Sequence, residues 1–369
     1  MSDYTLAVRS RVNEGLQQVA ELTGRAIAWH RSIRLQGGPW QGGFMLQGSV
    51  SELEEIFYSW LGHDLRERAG GDITWEGLIY EMELTVNGRT RRRSLDLMFN
   101  SVQAAYIDDA NNRGESSWYE QASSIGIYGR RRESVTLDGH PVATAEARAQ
   151  QFLAERAWPW ARTVSAAVRS QEPQLQVTAC GYGFTANWKF VTVNDGATGN
   201  LSVWLKDIID TDCEFLDPGS IEANTYQVKR KVQTARRVWD QLEELVDLGD
   251  SQQRPYRLYV EPGRRVSYSR IDMSNPAYYW RGDGLHFQSG GQAAESPWLV
   301  KPGLVRDMTS LRRSGREPGS LFEDPRDFLV GEVEAGERSG LSLKPADLLE
   351  SDMVAAQAEF AEWQSELRL

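Results

Sequence analysis

The sequence predicts an α+β fold in which β-strands dominate. Hydrophobic residues alternate over many short segments, and a helical pattern, a glycine stop and a hairpin follow one another in the same order twice. The chain has 369 residues with 33 Gly and 13 Trp, a length that suits two or three domains with separate cores. Tryptophan in such chains either fills cores or provides wide contact area between subunits, and the sequence leaves both interpretations open.

Hydrophobic spacing predicts one helix and then two strands at the start of the chain. Apolar residues recur about every three or four positions from Val8 to Leu22, which is typical of a helix. Alternating apolar residues then predict strands over 26–35 and 41–47, with a glycine-rich break between them.

A capped amphipathic helix is predicted after the second strand. Ser51 and Glu54 have the spacing of a capping box. Apolar residues continue at helical spacing over 53–65, and Gly70-Gly71 then ends the pattern.

Two strands joined by a tight turn are predicted to follow this helix. Alternation runs over 73–86 and changes parity at Ile79-Tyr80, which predicts a β-bulge. Asn87-Gly88 predicts the turn, because both residues tolerate positive φ angles. The return strand is expected to continue as far as Phe99.

A small α/β module is predicted next. A strand ends near Tyr106 and a polar loop follows it. Thr144 is expected to cap an alanine-rich helix from Ala145 to Ala157, which Pro159 ends.

The second half of the chain repeats the order of helix, glycine stop and hairpin. A helix begins near Thr234 and ends at Gly249, and a hairpin with Pro262-Gly263 at its turn follows over 256–268. An internal duplication is consistent with this order. Before this helix, strands are predicted over 163–168, 175–179 and 188–193, and 204–209 fits either a helix or a strand.

The last part of the chain is predicted to be an extended arm with a terminal helix. Gly315 to Gly340 has few apolar side chains, which is typical of a loop or arm. The helix is expected over 352–369, with Phe360 and Trp363 in an apolar seam that docks on its own subunit or on a neighbour.

The charge of the chain argues against a dedicated nucleic-acid-binding surface. The formal net charge is −11 and the isoelectric point is about 5.1, whereas phosphate neutralisation requires clustered Lys and Arg. Three short basic clusters, Arg91–Arg93, Arg130–Arg132 and Arg312-Arg313, are interpreted as solvated faces or ion-pair partners, with a functional patch as the alternative.

Motifs for metal, phosphate, dinucleotide or nucleophile chemistry are lacking, so we predict a protein that is not an enzyme and needs no cofactor. His63-Asp64 is expected to be a surface pair. The densest carboxylate group, Asp207, Asp210, Asp212 and Glu214, is either a solvated loop or a site for a divalent cation, and no metal is predicted.

Cysteine use and hydropathy indicate folding in a reducing cytoplasm. Cys180 and Cys213 make neither a disulfide framework nor a zinc site. The sequence shows no signal peptide and no apolar run of the length that a membrane span needs.

Three segments resemble the baseplate hub or tail-associated proteins of long-tailed bacteriophages. They are Trp75-Glu76-Gly77-Leu78-Ile79 before the hairpin, the run from Ser123 to Glu133 with Tyr128-Gly129 inside it, and the alanine-rich helix that ends at Pro159. The resemblance covers 73–168 well and 175–268 more loosely.

The resemblance implies two tube-like β-barrel domains per chain, each with a packed helix. It also implies a homotrimer whose barrels form a pseudo-sixfold ring, joining the tail tube to a central spike or fibre at the tail tip or baseplate of the virion. The implied partners are the tail tube or distal tail protein, the tape measure protein and the spike or fibre. DNA would pass through the channel without sequence-specific binding, and assembly would take place in the host cytoplasm.

On this resemblance the chain divides into four parts: a first barrel over 1–110, a small α/β linking module over 111–162, a second barrel-like domain over 163–310, and the arm with its helix over 311–369. The residues expected at subunit interfaces are Trp60, Trp75, Trp239, Phe360 and Trp363. The alternative function is a carbohydrate-binding or cell-wall-degrading tail protein, in which exposed Trp side chains stack on sugar rings beside paired carboxylates.

Overall fold

The structure is a computed structural model. It describes residues 4–107, 112–138, 141–166, 172–193, 196–230, 236–272, 277–281, 284–287, 300–302, 304–307, 326–337 and 340–345.

The architecture is mixed α+β and rich in strands, as the alternation predicts. The helices are α1 (Val50–Ser59), α2 (Ala122–Tyr128), α3 (Val142–Arg156), α4 (Leu201–Asp212) and α5 (Val238–Asp247), with 3₁₀ turns over Val12–Glu14 and Tyr182–Trp188. The strands of the first half are β1 (Tyr4–Arg9), β2 (Gln18–Glu21), β3 (Ile27–Arg34), β4 (Gly38–Gln47), β5 (Asp64–Ala69), β6 (Asp72–Val86), β7 (Arg89–Ser94), β8 (Ser101–Ile107), β9 (Arg113–Glu115), β10 (Tyr119–Glu120), β11 (Arg132–Asp138) and β12 (Arg162–Ala166). Those of the second half are β13 (Gln174–Gly181), β14 (Thr198–Asn200), β15 (Asp217–Ile221), β16 (Gln227–Lys229), β17 (Tyr256–Glu261), β18 (Arg265–Arg270), β19 (Tyr278–Arg281), β20 (Gly284–Phe287), β21 (Leu304–Asp307), β22 (Arg326–Gly336) and β23 (Gly340–Pro345).

The largest sheet combines strands from the beginning, the middle and the end of the chain. Its order is β2-β1-β5-β6-β13-β4-β3-β22-β21-β19-β20, with β7 and β12 attached beside β6 and β23 beside β22. The strand β13 lies between β6 and β4 and pairs antiparallel with both. Most buried apolar side chains of the described residues form one continuous core, which extends from this sheet to α4, α5 and the strands β17 and β18.

The β6–β7 hairpin has the turn and the bulge that its sequence predicts. Asn87 and Gly88 adopt φ angles of 50° and 77°, which are the positive values that a tight hairpin turn requires. In the pairing with β13, Thr178 lies opposite Glu81 and Ala179 lies opposite Ile79. Tyr80 is therefore the extra residue of a bulge. The return strand β7 ends at Ser94, earlier than predicted.

The first helix is shorter than predicted and begins at a different cap. Ser49, not Ser51, is the N-cap, and its side chain accepts a hydrogen bond from the backbone N–H of Glu52. The helix α1 ends at Ser59. Leu65 belongs instead to β5, because this segment pairs with both β1 and β6, and Gly70-Gly71 forms the turn between β5 and β6.

The prediction of a helix at the start of the chain is wrong. Residues 4–9 and 18–21 are the strands β1 and β2, which pair antiparallel, and β1 also pairs with β5. The helical spacing was coincidental, because Val19 is 48% exposed while Leu6, Val8 and Leu22 are buried.

Three other local predictions need correction. The N-cap of α3 is Pro141 rather than Thr144. The segment 188–193 is not a strand, since a 3₁₀ turn over Tyr182–Trp188 carries the chain out of the large sheet. Part of the predicted arm is the strand β22, which pairs with β3. The ambiguous stretch 204–209 lies in α4.

The second helix and hairpin are confirmed as elements. The helix α5 is followed by Gly249 in the left-handed region at φ 61°. β17 and β18 then pair as the predicted hairpin, and β15 adds to β18 in a small three-stranded sheet.

The two closed barrels that the resemblance implies are not confirmed. Among the described residues the large sheet is open, with β2 at one end and β20 at the other. The boundaries at 110, 162 and 310 stay predictions. Within the part of the chain that the structure describes, no helix has the length and apolar character to cross a membrane.

Candidate assembly surface

The three tryptophans expected at interfaces lie in the core of the chain itself. Trp75 is fully buried and its indole Nε1 donates to the backbone oxygen of Ser32 at 3.3 Å. Trp60 and Trp239 are also buried, and Trp239 packs on Trp40 with ring centroids 5.3 Å apart. Phe360 and Trp363 lie outside the described residues.

The residue that sequence reasoning missed is Trp160, whose side chain is 62% exposed. It follows Pro159, where the backbone oxygen accepts a hydrogen bond from Arg93 Nε at 3.0 Å. The Nη1 of Arg93 also donates to the backbone oxygens of Phe57 and Tyr58 at 2.8 Å. Arg93 therefore ties the segment before β12 to the end of α1. In the sequence, the position of Trp160 directly after the helix-ending Pro159 was the signal that could have identified it as exposed.

The strand β12 forms an exposed edge beside Trp160. All five of its residues, Arg162–Ala166, are exposed. One side of β12 pairs with β7, and no other described strand pairs with it. An edge of this kind presents unpaired backbone N–H and C=O groups that another strand can bond.

A second exposed aromatic side chain adjoins this edge. Tyr58 is 52% exposed at the end of α1, and its hydroxyl accepts a hydrogen bond from Arg91 Nη1 at 3.2 Å. Arg91 lies opposite Thr163 in the β7–β12 pairing. We define Tyr58, Arg91, Trp160 and the strand β12 as the β12 edge patch.

A buried polar cluster fixes the sheet behind β1 and β5. Arg9 Nε donates to Asp64 Oδ1 at 2.6 Å and its Nη2 to Glu76 Oε1 at 2.7 Å, and the Tyr182 hydroxyl donates to Asp64 Oδ2 at 2.8 Å. Burial raises the pKa of the Asp64 carboxyl, while the hydrogen bond from Arg9 opposes this. Glu76 Oε2 also accepts from the backbone N–H of Gly263 at 2.7 Å, which joins the β17–β18 turn to the large sheet.

His63-Asp64 is not the surface pair that the sequence predicts, because both side chains are buried. Burial lowers the pKa of the His63 imidazole to about 4, and the nearby Arg11 guanidinium adds to this effect while Glu14 opposes it. The imidazole is therefore neutral at physiological pH. Asp64 instead contacts Arg9 and Tyr182.

Three of the four carboxylates over 207–214 have separate structural partners, and the fourth, Asp210, is exposed. Asp207 pairs with Arg230 at 2.5 Å. Asp212 is buried and accepts from Thr192 N at 2.9 Å and Thr192 Oγ1 at 2.6 Å. Glu214 pairs with Lys189 at 3.0 Å. Among the described residues no group of three or more His, Cys, Asp or Glu side chains is arranged to hold a metal ion.

The two cysteines are free thiols inside the protein. Burial raises the pKa of both, that of Cys213 to about 12. Thiols with raised pKa values are weak nucleophiles at neutral pH.

No protein-family model and no curated protein sequence matches the chain. Among solved structures, it is similar to a tail protein from Neisseria meningitidis MC58, with a TM-score of 0.45 and 8% identity over 94% of this chain and 97% of that one. It is also similar to the 43 kDa tail protein of prophage MuSo2 from Shewanella oneidensis, with a TM-score of 0.41 and 6% identity over 94% of this chain and 97% of that one. Likenesses at this level assign neither a fold nor a function to this chain.

Proposed function

We propose that the chain is a structural, non-enzymatic component of a phage tail that assembles into a ring. In this proposal it is a hub at the tail tip or baseplate, a homotrimer that joins the tail tube to a central spike or fibre. The sequence resemblance over 73–168 supports the family. The β12 edge patch supports assembly, and it is the observation that carries the proposal.

The patch has the properties that a subunit interface needs. A free strand edge offers backbone hydrogen bonds to a neighbouring chain. Trp, Tyr and Arg are enriched in the energetically dominant parts of interfaces. Tyr58 and Arg91 lie beside this edge, and the exposed Trp160 precedes the strand by two positions. Arg91, Trp160 and β12 also lie within 73–168, the range that carries the resemblance, whereas Tyr58 lies in α1.

The net charge of −11 is consistent with a ring through which DNA passes. Acidic groups around a channel repel the phosphate backbone and prevent sticking. The neighbours in this proposal are the tail tube or distal tail protein, the tape measure protein and the spike or fibre, with assembly in the host cytoplasm.

The first test is the mass of the purified chain in solution by light scattering, with negative-stain imaging of the same sample. The proposal predicts a trimer and small rings with a central channel. A chain that remains monomeric at all concentrations tested would contradict the ring. Cleavage of purified cell wall by the wild-type chain would contradict the non-enzymatic role and favour the cell-wall-degrading alternative.

A further inference from the structure

A cavity of about 190 Å³ lies where the start of β11, the turn before residue 189 and the start of α5 meet. Three guanidinium groups line it, those of Arg131, Arg132 and Arg237. The sequence interpretation of Arg130–Arg132 as a solvated face is wrong for Arg131, whose side chain is only 4% exposed. Burial of a cation is costly unless it is paired, so this arrangement requires an explanation.

Arg131 is only partly satisfied by its neighbours. Its Nε donates to the backbone oxygen of Met98 at 3.0 Å, and its guanidinium carbon lies 4.1 Å from the ring centroid of Trp188. Its Nη1 is buried and has no hydrogen-bond partner among the described residues. Burial lowers the pKa of Arg131 to about 10, which leaves the group protonated at neutral pH.

Two further donors at the cavity are also unsatisfied. The indole Nε1 of Trp188 and the Nε of Arg132 are buried without a hydrogen-bond partner in the described part of the chain. Trp188 and Arg132 both line the cavity. Unpaired buried donors each cost free energy, and here three of them belong to residues around one cavity.

The negative groups nearby already have partners other than Arg131. Asp96, which also lines the cavity, accepts a hydrogen bond from the Tyr80 hydroxyl at 2.6 Å. Glu133 accepts from Arg237 Nη2 at 2.9 Å. Burial lowers the pKa of Arg132, and the Asp212 carboxylate opposes this from a distance. Asp212 itself is held by Thr192. The described carboxylates thus leave the Nη1 of Arg131 without a direct acceptor.

We propose that this cavity binds a phosphate group, with Arg131, Arg132 and Trp188 as donors. Arg237 lines the same cavity, but its charge is paired with Glu133. Guanidinium groups match the oxygens of phosphate in geometry and charge. The volume is ample, because one water needs only about 10–15 Å³ on the same measure. Half-buried aromatic side chains, Phe99 and Phe184, line the remaining wall, so a phosphate ester fits the chemistry as well as the free ion.

A bound phosphate would connect three parts of the chain. Arg132 begins β11 and Arg131 directly precedes it, Trp188 ends the 3₁₀ turn after β13, and Arg237 is the N-cap of α5. The site is separate from the β12 edge patch and does not depend on the ring proposal.

The test is calorimetric titration of the full chain with inorganic phosphate, against sodium chloride at the same ionic strength. Adenosine monophosphate serves as a second probe, because tighter binding than the free ion would identify an ester as the natural ligand. The site predicts saturable binding of phosphate with a stoichiometry of one per chain. Heats that do not exceed those of chloride would overturn it.

The variants Arg132→Gln and Trp188→Phe each remove one donor, and the second retains an aromatic ring. Each is expected to weaken phosphate binding at least about tenfold, the effect of losing one charge-assisted or buried hydrogen bond. Arg92→Gln is the matched control, since Arg92 is an exposed arginine that pairs with Glu83 and should leave binding unchanged. Circular dichroism verifies that each variant is folded. Equal affinity in the wild type and in both cavity variants would overturn the site.

Discussion

Arg31 and Glu67 form an ion pair in which both side chains are fully buried, with Arg31 Nε 2.9 Å from Glu67 Oε1. The indole N–H of Trp29 and the hydroxyl of Thr74 also donate to the Glu67 carboxylate. The Glu67 carboxylate therefore accepts hydrogen bonds from three side chains of β3 and β6 in the large sheet.

Replacing this carboxylate should strongly destabilise the fold. Glu67→Gln breaks the buried ion pair with Arg31 by removing the charge of the carboxylate, which costs about 3–5 kcal/mol of unfolding free energy. Chemical denaturation measures the loss. Glu83→Gln is the control, because Glu83 pairs with Arg92 at the surface, where ion pairs contribute about 0–1 kcal/mol. Similar losses in the two variants would contradict the role of the buried pair.

The pH dependence of stability should reveal the buried His63. Its pKa in the folded chain is about 4, against an ordinary value of 6.5, so the folded state binds fewer protons than the unfolded chain between these values. The unfolding free energy should therefore fall as the pH drops from about 6.5 to 4, by an amount on the order of 2–3 kcal/mol. Denaturation at several pH values measures it.

The variant His63→Gln separates this effect from that of other groups. The raised pKa of Asp64 contributes in the opposite direction, and it does so in both proteins. The variant should lose less stability than the wild type over the same pH window. Parallel curves for the two proteins would show that His63 is not the group responsible.

Gly181 should tolerate no side chain. A Cβ atom at this position would lie 1.7 Å from the backbone oxygen of Pro39, and a backbone oxygen within a sheet cannot move away cheaply. We expect Gly181→Ala to cost more than about 3 kcal/mol or to prevent folding. Gly199→Ala, where nothing lies within 4 Å, should change stability by less than about 0.5 kcal/mol. Thermal unfolding of both variants decides between these outcomes.

Charges placed on the β12 edge patch should block assembly without unfolding the chain. Trp160→Lys and Val164→Lys put solvated ammonium groups at an exposed edge, where lysine opposes strand pairing. The expected result is a monomer by light scattering whose circular dichroism spectrum is that of the folded wild type. Val203→Lys, at an exposed position on α4, is the control and should still assemble. Rings formed by the edge variants would place the subunit interface elsewhere.

Local backbone signals predicted the parts of the fold that depend on a few residues. Asn87-Gly88 specified its turn, and the change of parity at Tyr80 specified its bulge, because each reflects the conformation of one or two residues. The first 24 residues were misassigned because strand pairing with β5 is a long-range contact that helical spacing cannot reveal.

The candidate sites were harder to predict for a related reason. Trp75 and Trp160 are the same residue type, yet Trp75 is fully buried and Trp160 is 62% exposed. Their exposure depends on the paths of β4, β13 and β12, which the residue type does not reveal. In the sequence, Arg131 is indistinguishable from the other members of the basic cluster Arg130–Arg132. Its burial depends on Trp188, which lies 57 positions further along the chain and packs on its guanidinium group.

The pairing of β3 with β22 has a consequence for how the protein is made. Ile33 lies opposite Val333 and Arg34 lies opposite Glu332, so the edge of β3 stays without its partner until residue 336 has left the ribosome. Contacts between such distant positions close slowly, and a free strand edge invites pairing with other nascent chains. The yield of native protein should therefore depend on how quickly translation reaches its final segment.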